Sequence, residues 1–166
     1  MVHVTQHFRP ISVTSIIGKT FEKIIEKRLN LKWITQHQHA YCKDKSTMTD
    51  LSDIYAQNKS KQSLLKSFDF SAAFDRAPPV PIIKTLESHR TPSYLVSLIR
   101  CLLSPRTVIS KSFPHISSTP NTGKPQGGCL SPKLWSICIH PIIERLSKLA
   151  HVKAYADDLN IVIPVQ

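Results

Sequence analysis

The chain is short of the features that mark several large classes of protein. No apolar run reaches the roughly 18 residues a membrane span needs, and the N-terminal "MVHVTQHFRPISV" has no apolar signal core. A soluble protein with no membrane partner is therefore expected. Cys42, Cys101, Cys129 and Cys138 form no Cys-x-x-Cys pair, and the histidines lack zinc spacing: His37 and His39 stand one residue apart without companions. This argues against a disulfide scaffold or a zinc module and for reduced, structural cysteines in an intracellular compartment. Glycine is scarce, and three of the four glycines lie in one stretch, "GKPQGG". There is no internal repeat and no low-complexity tract. Acidic residues are also few, with 11 Asp and Glu against 22 Lys and Arg, a formal charge of +11. That imbalance favours a polyanionic partner, nucleic acid first, through counterion release. The basic residues are spread along the chain, as in "EKIIEKRLNLK" and "NKSKQSLLK", which fits a lined groove better than a basic tail.

A composition of 41% hydrophobic and 20% charged residues over 166 positions suits one folded core, or one domain with part of another. In "SVTSIIGKTFEKIIEKRLNLKWI", Ile17, Phe21, Ile24, Ile25, Leu29 and Trp33 recur at helical spacing and predict an amphipathic helix. A polar loop follows, with Thr47 or Thr49 as the cap of a second helix running through Ile54. "SLLKSFDFSAAFD" reads as a strand that breaks near Ser71. Beyond Pro78, Pro79 and Pro81, "PIIKTLESHR" and "PSYLVSLIRCLLS" predict two helices separated near Thr91 and Pro92. A short strand and the glycine-bearing loop come next. Ser131 is placed as an N-cap with Pro132 at the first helical position, and Pro141 is expected to kink or end that helix. The order of elements is an α+β pattern.

Four acids stand out against this scarcity. Asp157 and Asp158 sit in "AYADDLNIVI", framed by Val152, Ala154 and Ala156 before and Leu159, Ile161 and Ile163 after, which places them at a hairpin turn. Asp-Asp is ordinary turn chemistry. Two neighbouring carboxylates also repel one another unless a cation neutralises them, and such a pair suits Mg²⁺. Asp69 ends the earlier apolar strand, and Asp75 follows its turn. If strand and hairpin are neighbours, Asp69, Asp157 and Asp158 converge as two-metal phosphoryl transfer requires.

"FRPISVTSIIGKTFEKIIEKRL", "SFDFSAAFD", "TGKPQGGCLSPKLWSICI" and "HVKAYADDLNIVI", in this order and spacing, resemble the fingers and palm of reverse transcriptases, most closely those of non-LTR (LINE-type) retrotransposons. The match spans roughly residues 8–163. It implies a right-hand polymerase fold with a small antiparallel palm sheet flanked by helices. Residues 1–62 correspond to a fingers-like segment and residues 63–166 to the palm, with a nucleotide-binding loop at 123–132 and a YADD hairpin at 152–163. The resemblance implies that Asp69 and Asp157 ligate two Mg²⁺ ions, for which Mn²⁺ substitutes, with Asp158 the less direct third catalytic acid. Phe74 matches the aromatic beneath the incoming sugar, though by residue type alone it reads first as a core aromatic. Gln126 and Gly127 match the loop along nucleotide and template, Arg9 and Lys19 the cations that meet the triphosphate, and Tyr155 the aromatic near the primer end. Asp75 is expected to order the turn. The implied partners are an RNA template, a DNA primer and dNTPs, and nuclear localisation is favoured by the family.

The sequence departs from the family in places. "AYCKDKST" lacks the glycine and arginine of the usual "GFR-x-x-x-ST", the segment after Asp75 is rich in proline, and Pro141 falls in a helix that is continuous in relatives. Thumb and endonuclease are not recognised in these residues and are expected in a longer parent polyprotein. The reading is a reverse transcriptase fragment that transfers nucleotides from dNTPs to a primer 3′-hydroxyl. The alternatives are a catalytically inactive remnant that only binds nucleic acid, and a basic soluble protein whose aspartates are turn residues.

Overall fold

The computed structural model describes residues 13–58, 62–71, 73–105, 107–109, 115, 117–118 and 127–165. Helix α1 (Ile16–Arg28) begins at Ser15, whose Oγ accepts a hydrogen bond from Gly18 N at 3.1 Å. It stops short of the predicted Trp33. Asn30 Oδ1 accepts from Lys32 N, and such local side-chain bonds compete with helix propagation. A 3₁₀ turn (Lys32–Gln36) then carries Trp33. The buried face of α1 also differs from the one expected: it runs through Glu22, Ile25 and the following Leu29, while Ile17, Phe21 and Ile24 are exposed.

Helix α2 (Thr47–Asn58) is capped by Ser46, one residue before Thr47 and three before Thr49, the two expected caps. Ser46 Oγ accepts from Thr49 N at 3.3 Å while Ser46 N donates to Thr49 Oγ1 at 2.9 Å, a reciprocal arrangement that satisfies two otherwise orphaned donors. Strand β1 (Ser63–Asp69), a single turn α3 (Ala73–Arg76), α4 (Pro79–Ser88) and α5 (Ser93–Leu102) follow. The proline cluster opens α4, because Pro79 sits in its first turn where no N–H is needed. Short strands β2 (Val108–Ile109) and β3 (Ser117–Ser118) pair with each other.

Helix α6 (Ser131–Ser147) is the centre of the fold. Its Leu134 and Ile137 join a core made with α1, α4 and α5, including Ile25, Ile82, Leu86, Leu95 and Ile99. Its Trp135, Ile139 and Ile143 pack on Val152, Ala154, Leu159 and Ile161 of the sheet. Anchoring on two sides explains why Pro141 neither ends nor interrupts it, despite a penalty of about 3 kcal/mol for proline within a helix. The cap also lies one residue earlier than expected. Leu130 is the N-cap and Ser131 the first helical residue.

Strands β4 (His151–Tyr155) and β5 (Asp158–Pro164) form the expected hairpin, and the sheet order is β1-β5-β4, antiparallel throughout. One face lies on α6 and the other is partly covered by α2, where Lys153 Nζ donates to Asp53 Oδ2 at 2.7 Å. The outer edge of β4 is also covered. His39 N donates to Ala154 O and Ala154 N to His37 O, both at 2.8 Å, so residues 37–39 add one parallel bridge to the sheet. No helix among the described residues is long and apolar enough to cross a membrane.

Candidate active site

The register of the sheet assembles the site. Asp69 lies directly opposite Asp158, and Asp158 directly opposite Tyr155. Residues paired across antiparallel strands share a face, so these three side chains form one row across β1, β5 and β4. The row faces away from α6, since the intervening Leu159 and Ala154 are buried against it. Asp69 and Asp158 are exposed, Tyr155 half-buried. Like charges set directly opposite destabilise a sheet. Ordinary packing therefore gives no reason for the pair, and a bound cation gives one.

Asp157 reaches the same end of the sheet by the turn. Ala156 and Asp157 are the whole connection between β4 and β5, and Phe70 N donates to Asp157 O at 3.2 Å, tying the end of β1 to the loop. Ala156 has φ of 57°. Positive φ at the first residue of a two-residue hairpin loop ordinarily selects glycine. Here alanine is held there by side chains: Trp135 Nε1 donates to Ala156 O at 2.7 Å, and Gln38 Oε1 accepts from Ala156 N at 3.2 Å.

Two loops flank this end. In the first, Tyr41 takes φ of 59°, its carbonyl accepts from Lys133 Nζ, and its phenol is pushed up by burial and then by Asp157 and Tyr155. Tyr41 therefore stands in the field of Asp157. In the second, Gly127 has φ of 103° and Gly128 is buried against α1. A Cβ on Gly128 would lie 2.8 Å from Ser131 Oγ and 3.1 Å from Glu22 Oε2. Glu22 Oε2 also accepts from Leu130 N at 3.2 Å, so a buried carboxylate from α1 caps α6 and fixes the end of the glycine loop. Lys19 precedes Glu22 by three residues, placing both on neighbouring turns of one helix face.

The structure thus places Asp69, Asp157, Asp158 and Tyr155 at one end of the sheet. Phe74 lies in α3, but its side chain is outside the described part, as are Arg9 and Gln126 altogether. Gln38, Trp135 and Glu22 were not singled out in the sequence, where each is one polar or aromatic residue without a motif. Among the described residues no three His, Cys, Asp or Glu side chains are gathered as a metal cage. The donor set nevertheless suits Mg²⁺, which prefers oxygen and is held by one or two carboxylates together with water and substrate phosphates rather than by an all-protein cage.

A small antiparallel sheet backed by helices, with acids on adjoining strands and on the hairpin turn, is the palm of a right-hand polymerase. The chain belongs to the reverse transcriptase (RNA-dependent DNA polymerase) family, which it matches over residues 3–165. It is 25% identical over 171 aligned residues to the retrovirus-related Pol polyprotein of the type-2 retrotransposable element R2DM of Drosophila melanogaster, covering 93% of this chain and 16% of that protein. It is likewise 25% identical over 164 residues to a 115 kDa protein of the type-1 element R1DM of the same organism, covering 94% of this chain and 16% of that protein. The chain therefore spans about a sixth of the length of these relatives. Among solved structures, the telomerase of Candida albicans in complex with a fragment of telomeric RNA superposes with a TM-score of 0.56 at 15% identity, covering 90% of this chain and 30% of that one. At that identity the likeness concerns the fold.

Proposed function

We propose that this chain is the fingers and palm portion of a non-LTR retrotransposon reverse transcriptase, residues 1–62 serving as fingers and 63–166 as palm. It joins dNTPs to a DNA primer on an RNA template, within a longer polyprotein acting in the nucleus. The observation that carries this reading is the pairing of Asp69 with Asp158 beside the turn that presents Asp157. Asp69 and Asp157 hold two Mg²⁺ ions, with Asp158 alongside. When bound, the ions lower the pKa of the attacking primer hydroxyl and neutralise charge on the triphosphate. The protein supplies position: Tyr155 borders the primer end, Gly127 and Gln126 line the nucleotide, Phe74 lies under its sugar, and Arg9 and Lys19 meet its phosphates. The strong positive charge holds the nucleic acid backbone.

The test is incorporation of one dNTP into a DNA primer annealed to RNA, with Mg²⁺ and with Mn²⁺, beside duplex binding by fluorescence anisotropy. Asp157→Asn is expected to lower incorporation at least about a thousandfold, corresponding to ~4 kcal/mol of transition-state stabilisation, without weakening duplex binding. Equal incorporation by both proteins would remove Asp157 from the site. Salt-sensitive binding with no incorporation by the unmodified chain would favour the inactive, nucleic-acid-binding remnant.

A further inference from the structure

The orientation of Asp157 depends on the two peptide groups that flank its Cα. The carbonyl of the preceding group, Ala156 O, accepts from Trp135 Nε1 at 2.7 Å. The carbonyl of the following group, Asp157 O, accepts from Phe70 N at 3.2 Å. With both peptide planes pinned, φ and ψ of Asp157 are set, and with them the direction of its Cα–Cβ bond. The local sequence does not achieve this alone, because alanine at φ of 57° is disfavoured where glycine is the common choice.

Gln38 completes the hold. Its Oε1 accepts from Ala156 N at 3.2 Å and from Ala40 N at 3.1 Å, and its Nε2 makes a longer bond, 3.5 Å, to Ala156 O. Gln38 is only 1% exposed and its backbone bridges Ala154, so the amide is fixed before it meets the turn. Trp135 is also buried, its ring packed edge-on to Phe70 at a centroid separation of 5.6 Å. The two side chains come from different elements, one from the segment bridged to the edge of β4 and the other from α6 on the face of the sheet.

We infer that Gln38 and Trp135 are positioning residues that aim the Asp157 carboxylate at the metal site by holding the Ala156 peptide. The inference rests on the proposed role of Asp157 as a metal ligand. Metal ligands and catalytic groups need placement within about 0.5 Å, and holding them is the work of the surrounding hydrogen bonds. A role confined to stability would lower the melting temperature and leave metal affinity in the folded protein unchanged.

Mn²⁺ binding separates these cases. Free Mn²⁺ is followed by electron paramagnetic resonance during titration of the full chain, at a temperature where circular dichroism shows each variant folded. Trp135→Phe keeps the ring packing and removes one N–H. Gln38→Met keeps length and removes the amide. Each is expected to weaken Mn²⁺ binding about fivefold, the factor that loss of one hydrogen bond commonly produces. In an Asp157→Asn background neither is expected to weaken it further, since the carboxylate they aim is gone. Unchanged affinity in the folded variants, with a lowered melting temperature, would overturn the positioning role and leave Asp157 as a ligand. Equal titrations of the unmodified chain and Asp157→Asn would overturn both. Should Trp135→Phe fail to fold, Gln38→Met tests the same expectation from the edge of β4.

Discussion

Replacing Glu22 by alanine removes the acceptor of Leu130 N at the start of α6, in a buried location between α1 and the glycine loop. An orphaned buried N–H costs about 1–3 kcal/mol. The lost carboxylate at the helix N-terminus adds roughly 0.3–1 kcal/mol, and relief of carboxylate burial offsets part of the sum. The net expectation is destabilisation of about 2 kcal/mol, read by urea unfolding followed by circular dichroism. For a chain of this size that corresponds to a fall in Tm of roughly 4–8 °C. Glu22→Gln keeps an acceptor oxygen and is expected to cost under about 1 kcal/mol. Gly128→Ala, whose new methyl would press on Ser131 Oγ and Glu22 Oε2, is expected to destabilise the native chain and to cost less once Glu22 is alanine. A Glu22→Ala variant within about 0.5 kcal/mol of the parent, or a glutamine variant as unstable as the alanine one, would refute the capping account.

Stability is also expected to fall as pH drops from about 6.5 to 4. Burial, then Lys45 and Lys153, hold His39 down to about 4, so the unfolded chain takes up a proton that the folded chain refuses. The loss is at most about 3 kcal/mol for this group. His140 and His151 are likewise lowered, burial being the first cause, whereas burial raises Asp50 and opposes the trend at the acid end. Urea midpoints at pH 7 and 4.5 test this, and a His39→Gln variant with the same pH dependence as the parent would contradict it. In the absence of divalent metal, Asp158→Asn is expected to raise Tm by relieving its repulsion from Asp69, and a lowered Tm would show that the pair is not repulsive. Binding to duplex DNA is expected to weaken with salt at a log-log slope of about −0.9 per phosphate contacted, and a flat salt series would remove the electrostatic argument.

The hairpin carrying Asp157 and Asp158 was legible because its apolar residues alternate and are buried, Val152 and Ala154 on one strand and Leu159 and Ile161 on the next, whereas Leu64, Leu65 and Phe68 of β1 stay exposed. The convergence of Asp69 with Asp157 and Asp158 was expected only on the condition that strand and hairpin adjoin, and the register that sets Asp69 opposite Asp158 was not legible in the sequence. Helix ends were less legible. Ser46, Thr47 and Thr49 are all competent caps, and the choice fell to the residue that bonds reciprocally with Thr49. Pro141 reads locally as a breaker, yet packing on two sides of α6 outweighs it. The face of α1 was misread because apolar spacing alone does not reveal that a carboxylate, Glu22, is the buried residue. Gln38 and Trp135 lie 118 and 21 positions from Ala156, and nothing in the periodicity of either segment announces those bonds.

Asp69, Asp157 and Asp158 are proposed to share a divalent metal site. Substituting Fe²⁺ for Mg²⁺ in the presence of ascorbate and peroxide generates hydroxyl radicals at the bound ion, and these cut the backbone nearby. Peptide mapping is expected to find cuts clustered at residues near 69 and near 157–158 together. Excess Mg²⁺ should suppress them and Asp157→Asn should remove them. Cuts at only one of the two segments, or cuts at both that persist in Asp157→Asn and under excess Mg²⁺, would contradict a shared site.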